Sequence, residues 1–338
     1  MELLNLYKNH IQYKQLIENI SNNACKNLNL SGLTGSSASI LTSTLFLDLK
    51  KQILIILPEF EEAAYFYSDL TTLLDNEQVL FFPSSYKRIT HNEQIDQENI
   101  VLRSDVLSKL SRNENNYIVV SYAEAIAEKV IVKEILDDNT LKLFKGENIS
   151  IEFIHEVLYE YGFELNDFVF EPGQFSVRGG IVDVFSYSND LPYRIEFFGD
   201  TVESIRSFEI DSQLSKDFFD HIAILPDIKN TLQQEKHELL FSYYKENLLI
   251  LAKDLKYSTE ILTNILEKTA NFDNITESSF ISETNELLNY ISKYQIVEFG
   301  VNQLYKSNNS IAFNTSHQPL FQKNFELLTL NLIENYEK

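Results

Sequence analysis

The spacing of apolar and polar positions changes period several times along the chain, and each period predicts an element. Over residues 1–24, Leu3, Leu4, Tyr7, Ile11 and Leu16 form an imperfect stripe at helical spacing, which predicts one helix. Residues 52–58, QILIILP, are apolar without interruption, as expected of a strand buried on both faces of a parallel sheet. The following EFEEAAYFYSDLTTLL returns to helical spacing through Phe60, Ala63, Ala64, Tyr67 and Leu70. Residues 79–82 and 117–120 read as two more buried strands. Helices are predicted over 100–110 and 122–129, and residues 83–99 read as a polar, irregular connection. Strand alternating with helix predicts a doubly wound α/β domain.

From about residue 140 the pattern changes. Ser150 is placed to cap a short helix that stops at Gly162, and strands of period two follow from residue 168. In the run 170–213, Phe175 and Val177 alternate with Gln174, Ser176 and Arg178, which puts Arg178 on the wet face of a strand. Tyr193, Ile195 and Phe197 share one face of a later strand, and Arg194, Glu196 and Phe198 share the other. Gly179 and Gly180 permit positive φ or close backbone approach, and Gly199-Asp200 predicts a tight hairpin. Four of the nine glycines and three of the six arginines of the chain lie in these residues. An exposed ring among arginines is the composition of a protein-binding hot spot. The plainer alternative packs Phe198 under a loop and pairs the arginines locally with Glu196 or Asp183. Periodicity leaves both open.

Beyond Pro226 helices are predicted over 235–255, 258–270 and 283–292, with strands at 296–299 and 310–313 rejoining the first sheet. The expected organisation is a divided α/β domain, residues 1–140 and 226–338, interrupted by a smaller α+β domain at 141–225. The helical residues 324–338 end without punctuation, which predicts that the chain is part of a longer protein.

Charge and composition narrow the function classes. A formal net charge of −22 over 338 residues, with no lysine or arginine run, argues against a surface that tracks nucleic acid. The single cysteine, Cys25, excludes an internal disulfide and a cysteine-based zinc site. No apolar run reaches 18 residues, so neither a membrane span nor a secretion signal is predicted, and a cytoplasmic setting is expected. His91 and His155 have no partner ligands at metal spacing, and no metal is expected.

Residues 28–39, LNLSGLTGSSAS, look like a phosphate-binding loop. Such a loop needs a second glycine, a lysine for the β and γ phosphates, and a hydroxyl for magnesium. Aligned on Gly32, the chain has Ser37 at the second glycine, Ala38 at the lysine and Ser39 at the hydroxyl, with Gly35 free to make a turn. The essential cation is missing, so a remnant without a cofactor is expected.

The run FSVRGGIVDVFSYSNDLPYRIEFFGDTVESIRSFEIDSQ closely resembles a segment shared by bacterial transcription-repair coupling factors and the excision-repair protein UvrB. The resemblance covers residues 30–225 well and the rest loosely. It implies a degenerate P-loop, helicase-like UvrB-type domain carrying an inserted domain that binds UvrA, with Arg178, Arg194 and Phe198 at the contact. It also implies a non-catalytic recruiting role in transcription-coupled nucleotide excision repair. Contacts with RNA polymerase and DNA would be made by later segments absent here, among them ATP-driven translocase motors, and the UvrA-binding face would be masked in the free full-length protein. The alternative is an ATP-dependent, UvrB-like damage-verification enzyme. The loop at Gly32 departs from that pattern, since UvrB keeps it intact.

Overall fold

A computed structural model of the chain describes residues 2–22, 25–89, 92–95, 97–112, 115–187, 189, 191–225, 236–270, 281–307, 309–316 and 319–336. The first stripe folds as two helices, α1 (Glu2–Asn9) and α2 (Ile11–Ser21), rather than one. His10 between them is extended (φ −70°, ψ 138°), and the break lets Tyr13, Leu16 and Ile20 reach the core. Ile11, which the single stripe would have buried, is left exposed.

The α/β pattern then follows through β1 (Asn27–Ser31), α3 (Ser37–Leu49), β2 (Ile53–Leu57), α4 (Phe60–Leu73) and β3 (Val79–Phe82). Where an irregular connection was expected there is a hairpin, β4 (Tyr86–Ile89) and β5 (Asn92–Ile95). Its base is held by the buried Glu128, whose carboxylate accepts from Ser85 N at 3.0 Å and from Ser84 Oγ at 3.2 Å and pairs with Arg103 at 3.3 Å. His91 lies outside the described residues. The first part closes with α5 (Gln97–Arg112), β6 (Ile118–Tyr122), α6 (Ala123–Ala127), β7 (Val130–Ile131) and α7 (Lys133–Asp138).

The chain next builds a separate layer from β8 (Leu141–Phe144), α8 (Ile151–Glu160), β9 (Glu164–Leu165), β10 (Gln174–Arg178), β11 (Ile181–Val184), β12 (Tyr193–Phe198), β13 (Thr201–Phe208), β14 (Ser215–Phe219) and β15 (His221–Ile224). It returns through β16 (His237–Glu238), β17 (Leu249–Lys253), α9 (Leu255–Ala270), α10 (Thr284–Ile291), β18 (Gln295–Phe299), β19 (Ser310–Ala312) and α11 (Phe325–Tyr336). The helix expected over 235–255 is absent. Residues 249–253, LILAK, instead form a strand in the middle of the sheet, because a short apolar run buried on both faces has no period to tell strand from helix.

Seven strands make the main sheet, in the order β19, β1, β18, β17, β2, β6, β3, and every pair is parallel. Its members come from both ends of the chain. The inserted layer is a six-stranded sheet ordered β14, β13, β12, β11, β10, β9, with α8 packed on one face. Ser150 caps that helix by accepting from Phe153 N at 3.1 Å, and Gly162 at φ 80° follows its end. Ile154 and Leu158 of α8 join Phe175, Val182, Val184, Ile195, Phe197, Val202 and Ile205 in one core. Burying such side chains is worth about 1.5–3 kcal/mol each. Within the described residues no helix is long and apolar enough to cross a membrane.

Candidate functional site

The face of the six-stranded sheet opposite α8 carries the polar set. Along β12 burial alternates residue by residue: Tyr193, Ile195 and Phe197 are buried, Arg194 and Glu196 are half-buried, and Phe198 is 80% exposed. The alternation follows from the pleat, and the register carries it sideways. Ser176 stands opposite Asp183, Asp183 opposite Arg194, Arg194 opposite Arg206, and Arg206 opposite Phe218. All five share the outer face. Gly199 takes φ 61° in the hairpin that presents Phe198, and Gly179 takes φ 60° in the preceding turn. At Gly180 a β-carbon would meet the Phe197 carbonyl at 2.9 Å, so the strands close tightly there.

The arginines face outward but are not free. Asp183, with only 2% of its side chain exposed, receives Arg194 through two bonds, Nε to Oδ1 at 2.7 Å and a terminal nitrogen to Oδ2 at 2.8 Å. Arg194 also donates to Gln213 Oε1 at 2.8 Å and lies 4.2 Å from the centre of the Phe208 ring, which leaves 13% of its side chain exposed. Arg178 bonds the same Asp183, donates to the Asp167 carbonyl at 3.1 Å and covers the Phe168 ring at 4.8 Å. Arg206 pairs with Glu196 at 2.5 Å. The bonds from Arg206 and then Ser204 hold the Glu196 carboxyl down at about 2. Of the two arrangements that periodicity leaves open, the local pairing of the arginines with Asp183 is the one the structure shows. A carboxylate at the centre of the face draws both inward, because a buried charge must be paired. Phe198, in contrast, is not tucked under a loop. By sequence Asp183 is only an alternative partner and Arg206 only one of the three arginines of the run, while Gln213 and Phe208 carry no assigned role. For Arg206 and Phe208 the signal is the same period two, in the strand containing SIRSF, whereas Gln213 lies in the turn beyond it at φ 58°.

The second candidate, the loop at Gly32, joins β1 to α3, as a strand–loop–helix phosphate site would. Gly32 (φ 73°) and Gly35 (φ 53°) are both left-handed. The chain itself closes over the loop. Thr34 N donates to Thr315 Oγ1 at 2.9 Å, and Thr315 Oγ1 donates to the Gly32 carbonyl at 2.6 Å. A β-carbon on Gly32 would come within 1.7 Å of the Phe313 carbonyl oxygen. Ala38 is buried, Ser39 Oγ donates to Asp69 Oδ2 at 2.9 Å, and the buried Ser37 Oγ has no hydrogen-bond partner among the described residues. His155, expected to be structural, stands edge-on to Phe175 at 5.4 Å.

Comparison with known proteins defines the class first. Residues 141–229 match the family model described as the UvrB interaction domain, so the antiparallel layer with its outer arginine and aromatic face is a domain of that kind. Among whole proteins, the chain is 31% identical over 266 residues to the transcription-repair-coupling factor of Bacillus subtilis, covering 78% of this chain and 22% of that protein. It is 32% identical over 201 residues to the Rickettsia bellii coupling factor, 59% of this chain and 17% of that protein. UvrABC system protein B of Streptococcus gordonii is 29% identical over 273 residues, 73% of this chain and 41% of that protein. The chain thus carries the UvrB-homology region that coupling factors and UvrB have in common. It spans about a fifth of the coupling factors it matches.

Proposed function

We propose that this chain is a non-catalytic recruiting module of nucleotide excision repair that binds UvrA through the outer face of the domain at 141–225, with Phe198, Arg194 and Arg178 at the contact. One observation carries the reading: a phenylalanine held 80% exposed on the outer face of a sheet that also carries paired arginines. Leaving so large a ring in water has no folding benefit, and a partner that covers it recovers the full hydrophobic gain. The arginines contribute by holding the surface in shape, since each guanidinium is already bonded before a partner arrives.

The non-catalytic part of the reading rests on the loop. A nucleotide's phosphates need the backbone amides and a fixed cation. Here Thr315 takes the Thr34 amide, and buried Ala38 stands where the lysine is required. These residues do not fit a nucleoside triphosphate. The test has two arms. Phe198→Ala is expected to weaken UvrA binding by about 1–3 kcal/mol, measured by calorimetric titration, with an unchanged thermal melt. ATP is expected to give no saturable binding signal at micromolar concentrations. Unchanged UvrA affinity in the variant would reject the proposed face, and micromolar ATP affinity or turnover would favour the alternative of a UvrB-like enzyme.

A further inference from the structure

We infer that Phe218 is a second aromatic anchor of the same docking face, so that the partner spans the sheet from the Phe198 hairpin to the open edge at β14. The inference rests on the reading that UvrA docks on this face, and it extends the contact to a residue that neither the motif nor the alternation within β12 indicates.

Phe218 is 73% exposed and stands directly opposite Arg206, which stands opposite Arg194. It therefore points the same way as Phe198. Two strand spacings of about 4.8 Å and four residues of about 3.4 Å separate the two rings, or roughly 16 Å along the surface. A protein interface of ordinary size covers about 800 Å² on each partner, a patch roughly 30 Å across. Both rings fit inside one such footprint.

Between them the floor is polar and already satisfied. Asp183 holds Arg178 and Arg194, and Glu196 holds Arg206. Side chains locked before binding lose little rotamer freedom when a partner arrives, so the floor excludes water and keeps its shape while the rings supply the apolar area. Three arginines against two carboxylates leave one positive charge on the floor of a chain whose net charge is −22. The partner surface that complements this has two apolar sockets about 16 Å apart with acidic character between them.

The edge supports the same assignment. β14 is the last strand of its sheet, and an edge strand is ordinarily protected by placing charge outward. Lys216 and Asp217 do so, but Phe218 turns its ring to solvent, and Leu214 just before the strand is 68% exposed. The apolar end of the face thus coincides with the side on which, among the described residues, no further strand pairs with β14.

The experiment is a calorimetric titration of UvrA with the full 338-residue chain and three variants, Phe198→Ala, Phe218→Ala and Tyr159→Ala. Tyr159 is an exposed ring on α8, which packs against the opposite face, and serves as the control for loss of surface apolar area. Phe218→Ala is expected to weaken binding tenfold or more with an unchanged melting temperature, and Tyr159→Ala to bind within twofold of the parent chain. If the parent chain does not bind UvrA, the proposed function falls and this inference falls with it. If the parent binds and Phe198→Ala is weakened while Phe218→Ala stays within twofold, the inference alone is overturned. Equal weakening by Phe218→Ala and Tyr159→Ala would overturn it as well, since the effect would not belong to this face.

Discussion

Asp183 shows how much a single side chain can decide. It sits in β11 between two strands that each bring an arginine to it, and its carboxylate is almost wholly removed from water. An ionised group in that position is tolerable only while its partners remain. Arg194→Ala takes away two of the bonds and uncovers Phe208, leaving Asp183 with Arg178. We expect this variant to lose about 2–3 kcal/mol of stability, read from urea denaturation. Any loss of UvrA affinity in it must therefore be corrected for unfolding. Phe198→Ala removes an exposed ring and carries no such cost, so the two variants separate scaffold from contact. The sequence showed that Arg194 and Phe198 share a face of one strand, because alternation along a strand is local. That Asp183 claims both guanidinium groups depends on the lateral register of three strands, which no spacing within one strand contains.

At the scale of elements, those with a clear period are legible in the sequence and those without one are not. Strands β2, β3 and β6 and helix α4 stood out as uninterrupted apolar runs and a helical stripe. Residues 249–253 form a strand inside the predicted helix 235–255, because burial on both faces removes the contrast that separates the two periods. Over the first helices the apolar spacing runs on through His10, so the break there, where His10 is extended, has no signal in the stripe. The loop after β1 was legible as to what it lacks, a lysine. It was not legible as to what fills it, since Thr315 lies 281 residues from Thr34. Gly32 is the residue this closure depends on, having both a left-handed φ and no room for a β-carbon beside Phe313. Gly32→Ala is expected to cost about 1–3 kcal/mol or more, measured by the shift of the thermal midpoint.

For the whole molecule, the point of insertion matters most. β8 enters the inserted layer and β15 leaves it, and the two pair antiparallel with Leu141 opposite Ile224. Chain ends held side by side can be joined by a short turn, since paired strands lie only about 5 Å apart. Replacing residues 141–225 by a two-residue Asn-Gly turn is therefore expected to leave the parallel sheet folded, as judged by cooperative thermal unfolding, while abolishing UvrA binding. Ile100 of α5 packs into the core of the inserted layer and becomes exposed in this variant, so a modest loss of stability is part of the expected outcome.

What the order of residues settled unaided was local: which strands alternate, where Gly199 turns the chain, that the formal net charge is −22, and that no lysine stands in the loop. These depend on neighbours a few positions apart and on the chemistry of each side chain. Folding settled the matters that join distant residues: the capture of two arginines by one aspartate, the closure of the Gly32 loop by Thr315, and the placing of Phe218 beside Arg206. Each is a contact made across strands, and the energy of a buried charge or an orphaned amide acts on whatever the fold brings near it, however far away it lies in the chain.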